Sequence, residues 1–166
     1  MKNNFKIKDI VIISIFTAVL FVQEQVLSFL PNIQLTVLLI VLYSKILGFK
    51  KTIIIVLLHI LLDSILGGFN ILYLIPMLIG WLSIPILILT LFKKVESSIG
   101  LGIVGIIASV IYSWCFIFIE VVVLKGSFIA YFIADLPFEL LLMGSSFLSI
   151  IWLYQPLYKL INKIYQ

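Results

Sequence analysis

Arginine is absent from this 166-residue chain, cysteine and histidine occur once each, and charged residues make up only 11% of it. A soluble domain of this size carries about 25% charged residues, so the composition excludes an ordinary water-soluble fold. The lone Cys115 excludes both a disulfide framework and a cysteine metal site. Neither G-x-x-x-x-G-K-[ST] nor H-E-x-x-H occurs, which removes P-loop nucleotide hydrolysis and the zinc-protease helix. His59 with carboxylates on separate helices is a poor metal set. Ser145 and Ser146 have no histidine near them in sequence, so no nucleophilic triad is legible. The chain is therefore expected to be neither an enzyme nor the holder of a metal or cofactor. Its net charge of +4 comes from lysines placed at the ends of apolar runs, a pattern that records orientation in a membrane and leaves nucleic acid without a binding surface.

What is present is apolar residue: 64% of the chain, with a mean hydropathy of +1.34. Six long apolar stretches joined by short connections occupy nearly the whole length, at about 20 residues per spanning helix. The period-2 alternation of a membrane barrel is missing, so the spans are expected to be helices. The reading is an all-α integral membrane protein, a single six-helix transmembrane bundle with helices over 9–30, 33–47, 52–66, 71–92, 99–124 and 135–158. Lys2, Lys6 and Lys8 precede the first run, and Gln23, Glu24 and Gln25 continue it without a small-x-small site, so it is read as a membrane helix rather than a cleaved leader. With six spans, every lysine except Lys125 falls on one side. The positive-inside rule then places both termini in the cytoplasm, and the expected location is the plasma membrane of a prokaryote.

Against this background the acids are informative, because a charge near the bilayer centre costs roughly 2.5–3.5 kcal/mol or more and must face water, protein or a ligand. Asp135 and Glu139 stand four apart on one helical face that also carries Met143 and Ser146. His59 and Asp63 are spaced the same way, either as a functional pair or as a hydrogen bond that fixes packing. Counting about 1.5 Å per residue from the lysine-rich side, Glu24 and Asp63 fall in the outer half, with Glu120, Asp135 and Glu139 near the outer helix ends. This distribution predicts an outward-opening pocket with Asn70, Tyr73, Trp81 and Tyr112 as further walls. Pro76 and Pro85 predict a kinked fourth helix, and Gly100, Gly102 and Gly105 predict close packing in the fifth. Ser14 and Ala18 form a small-xxx-small pair on the first helix, suited to a partner helix or equally to packing inside the bundle.

The pair Ser14-Ile-Phe-Thr-Ala18, the last-helix segment Ala134-Asp-Leu-Pro-Phe-Glu-Leu140 and the tail Gln155-Pro-Leu-Tyr-Lys159 together resemble the substrate-binding S components of energy-coupling factor (ECF) vitamin transporters. The resemblance implies a subunit that binds a vitamin or related micronutrient from outside. It also implies delivery through a transmembrane coupling subunit driven by two ATPases, with Ser14 and Ala18 at the place where that family's alanine motif meets the coupling subunit. Serine here replaces the first alanine. The opening Met1-Lys2-Asn3 lacks the Met-His start of the nickel and cobalt branch, and the acids favour a cationic or donor-rich, nitrogen-containing substrate. The rival reading from another class is a structural membrane protein of the cell-shape machinery, of the MreD type.

Overall fold

The computed structural model describes residues 6–165, the side chain of Ile164 excepted, so Lys2 and the Met1-Lys2-Asn3 opening lie outside the described residues. Six helices follow in order: α1 (Ile7–Leu27), α2 (Thr36–Leu47), α3 (Phe49–Gly67), α4 (Ile71–Leu89), α5 (Ser98–Leu124) and α6 (Phe128–Tyr165), with no strand among the described residues. Four of them, α1, α4, α5 and α6, are long and apolar enough to cross a membrane. The other two differ for separate reasons. At 12 residues, α2 is about 18 Å long, whereas α3 has 19 residues but carries Lys50, Lys51 and Asp63.

The short helix is the centre of the bundle. Residues 36–44 of α2 are all buried, and the helix touches each of the other five. An apolar helix enclosed on all sides has no polar face to show. Around it, the large apolar side chains that remain exposed, such as Val11, Ile15, Leu57, Leu61, Ile103, Phe118 and Leu148, point outward, as they do on a surface solvated by lipid. The α5–α6 contact is the most extensive. It depends on glycine: a Cβ at Gly102 would lie 2.9 Å from the Phe147 ring and one at Gly105 2.7 Å from Ile150. Gly100 instead fits against Val95 and Ser97 at the start of its own helix.

One end of the bundle gathers the lysines. Lys51 pairs with Asp9 and donates to the Tyr165 hydroxyl at 2.7 Å, while Lys8 reaches the Tyr165 carbonyl. Lys45 donates to the carbonyls of Lys93 and Val95 at 3.0 and 2.7 Å. The start of α1, the α2–α3 turn, the α4–α5 loop and the end of α6 therefore meet at the same end.

Several expected boundaries move, each for a local reason. The last helix begins at Phe128 rather than Asp135, because Lys125 takes a left-handed φ of 54° that ends α5 and the apolar residues after Ser127 meet no breaker. Pro137 is consequently internal instead of in a first turn, and α6 also runs through Pro156 to Tyr165. Each proline leaves one carbonyl without its helical donor, a loss the 38-residue helix absorbs. Likewise α4 is continuous through Pro76 and Pro85. The first connection lengthens to residues 28–35, since side chains take over its backbone: Gln23 Oε1 accepts from the Leu35 amide, and Ser145 Oγ accepts from the Gln34 amide and donates to the Gln34 carbonyl. Asn32 adds a bond to the Phe138 carbonyl at 3.1 Å, so this linker lies strapped to α6.

Candidate functional site

The polar run Gln23-Glu24-Gln25 lies near the end of α1 remote from the lysines, and its three side chains reach partners on α2 and α3. Gln23 donates to Thr36 Oγ1 of α2 at 2.8 Å. Glu24 receives Thr36 Oγ1 at 3.3 Å and lies 2.9 Å from His59 Nε2 of α3. Gln25 donates to Asp63 Oδ1 at 2.9 Å. The i, i+4 spacing of His59 and Asp63 is what lets one α3 face meet two adjacent α1 residues. His59 is completely buried, and neither ring nitrogen has an aligned hydrogen bond. The contact with Glu24 is thus a close approach of the two side chains rather than a directed hydrogen bond.

Two cavities flank this group, and Glu24 and Asp63 line both. One, of about 280 Å³, is bounded by Ser64, Gly67, Gly68, Asn70, Tyr73, Leu74, Met77, Tyr112 and Phe116 as well. The other, of about 350 Å³, lies beneath the linker and adds Gln25, Ser28, Asn32 and Gln34. The Gly67-Gly68-Phe69-Asn70 break shapes the first cavity. Gly68 has a φ of 86°, which favours glycine, and Asn70 Oδ1 accepts from the Leu72 amide to start α4. A small side cavity of about 70 Å³ shares Asn70, Tyr73 and Phe116 and adds Glu120.

The aromatic wall is held from behind. Trp81 is fully buried and stacks on Tyr112 with ring centroids 3.9 Å apart, and Tyr112 touches Phe116 at 5.0 Å. That stacking requires Gly80, where a Cβ would lie 2.5 Å from the Tyr112 ring.

Comparison of the chain with protein-family models, with characterised proteins and with solved structures gives no match. The geometry therefore stands alone as the guide to function.

Of the residues singled out from sequence, Glu24, Asp63, Asn70, Tyr73 and Tyr112 line one cavity, with His59 buried against Glu24. Three are elsewhere. Trp81 supports the wall without reaching the cavity. Ser146 is buried and hydrogen-bonds Ser109 of α5 at 2.9 Å, because the α5–α6 contact is too close for its hydroxyl to face anything else. Glu139 is buried on α6 and lines neither cavity. Glu139 thus lies apart from the cavity that Glu24 and Asp63 line, although all three fall at similar expected depth. Gln25, Gln34, Thr36 and Phe116 were not singled out. A polar triplet in an apolar helix is the available signal for Gln25, and for Phe116 it is the spacing of four from Tyr112, which puts both on one helical face. Ser14 and Ala18 are exposed on the outer face of α1, so they take no part in packing within this bundle. Among the described residues no group of three or more His, Cys, Asp and Glu is arranged to hold a metal ion.

Proposed function

We propose that the chain is the substrate-binding subunit of an ECF-type importer, taking a vitamin or related micronutrient from outside through the Glu24–Asp63 cavity. The observation that carries this reading is that cavity itself: two acids and an aromatic wall around about 280 Å³, with a buried histidine behind Glu24, at the end of the bundle away from the lysines. Binding pockets combine an apolar lining with a few convergent polar groups in this way. In this reading all six helices lie across the plasma membrane of a prokaryote, α2 being short because it is shielded by the others. Both termini are then cytoplasmic, a topology that the lysine-rich end supports through the positive-inside rule.

The chain carries no nucleotide-binding motif, so the work of uptake falls to partners: a transmembrane coupling subunit and two ATPases. The outward placement of Ser14 and Ala18 supports a helix docking there, since small residues let backbones approach closely in lipid. Purification of the chain from its native membrane in mild detergent tests this. Coupling and ATPase subunits should accompany the wild type and be lost from Ala18→Leu with the fold intact. Native mass spectrometry of the same material should show a retained small molecule. Recovery with cell-wall synthesis proteins, and no ligand, would instead support the cell-shape reading.

A further inference from the structure

The charges around the cavity do not balance. From α1 come Glu24 and the neutral Gln23 and Gln25, from α3 His59 and Asp63, from α4 only Tyr73, and from α5 Tyr112 with Glu120 in the adjoining space. No lysine lines any of the three cavities. Glu24 already has His59 and Thr36. Asp63 has one neutral donor, the Gln25 amide, and among the described residues its second oxygen receives no hydrogen bond. Asp63 is half-buried, lines both larger cavities and has no cationic partner among the described residues, so a positively charged group that enters either cavity meets a carboxylate free to pair with it.

We propose that the Glu24–Asp63 cavity takes a small organic cation, a flat ring bearing a positively charged nitrogen, with Asp63 as its counter-ion. The inference rests on the small-molecule reading above and specifies the ligand's charge and orientation. A metal ion does not fit, because no three-ligand group is present among the described residues. Three aromatic side chains, Tyr73, Tyr112 and Phe116, line the cavity beside the two acids, and a flat cationic heterocycle suits that combination. A volume of about 280 Å³ is at the small end of ligand pockets and suits a molecule of one or two rings. Because Glu24 and Asp63 line the second cavity too, a polar substituent on the ring reaches Gln25, Asn32 and Gln34 beneath the linker. His59 keeps Glu24 occupied, which leaves Asp63 as the carboxylate that changes partner when the ligand enters.

Calorimetric titration of nanodisc-reconstituted protein at pH 7 tests this with a charge-sorted panel: thiamine and N1-methylnicotinamide as cations, nicotinamide and riboflavin as neutrals, nicotinate and biotin as anions. Binding is expected from a cation and from neither other class, with affinity falling tenfold or more in Asp63→Asn and unchanged in Glu96→Gln at the lysine-rich end. Melting of ligand-free Asp63→Asn at or above the wild-type temperature shows that its loss of binding is not loss of fold. A neutral or anionic compound that binds equally well to Asp63→Asn overturns the charge assignment while leaving the binding-subunit reading in place. Absence of binding by every compound overturns both.

Discussion

His59 Nε2 stands 2.9 Å from Glu24 Oε2, with the histidine fully buried and the glutamate side chain 22% exposed. This contact joins α1 to α3 in the polar half of the bundle. Replacing His59 by leucine leaves Glu24 with only the Thr36 hydroxyl, and a stability loss of about 1–3 kcal/mol is expected, below the range for a fully buried pair because water still reaches the glutamate. The double variant His59→Leu/Glu24→Gln should recover most of it in thermal melts. An additive double variant would mean that the two side chains do not interact.

Gly80→Ala should disturb the site without touching it. The new methyl meets the Tyr112 ring at 2.5 Å and its Cα at 3.2 Å, so α4 and α5 must part and the Trp81–Tyr112 stack must shift. Overpacking of this kind costs about 1–3 kcal/mol. Tryptophan fluorescence should change together with the melting temperature, and an unchanged spectrum would mean that the stack tolerates the methyl.

Ser146→Ala discriminates packing from binding. Its hydroxyl pairs with Ser109 inside the α5–α6 contact, so the substitution should cost about 0.5–1.5 kcal/mol of stability and leave ligand affinity unaltered. A fall in affinity with normal stability would return Ser146 to the pocket.

Lys45 joins helix ends at the opposite pole by donating to the Lys93 and Val95 carbonyls. Lys45→Met should lower stability by about 1–2 kcal/mol and speed proteolysis in the loop after α4. Protection there equal to wild type would show that the bonds are dispensable.

The all-helical character was legible because so few polar groups leave no alternative for backbone in lipid, and the polar half was legible because acids in long apolar runs need partners. Helix ends were less so. The 28–35 connection is longer than expected because Gln23 and Ser145 supply the backbone's partners from elsewhere in the chain, and the early start of α6 depends on one left-handed residue, Lys125.

The grouping of the acids shows where reading along one chain stops. Spacing placed His59 over Asp63 and gave Glu24 the same depth, because helical rise and period are properties of the local backbone. Which helix stands beside which is not. Only the tertiary structure brought Glu24 to His59 and Gln25 to Asp63, turned Glu139 and Ser146 away from that cavity, and placed Trp81 behind Tyr112 instead of in the wall. Those relations depend on the rotation and neighbours of packed helices, set by close contacts such as Gly80 on Tyr112 and Gly102 on Phe147. The apolar sequence itself, nearly uniform around each helix, could not specify them.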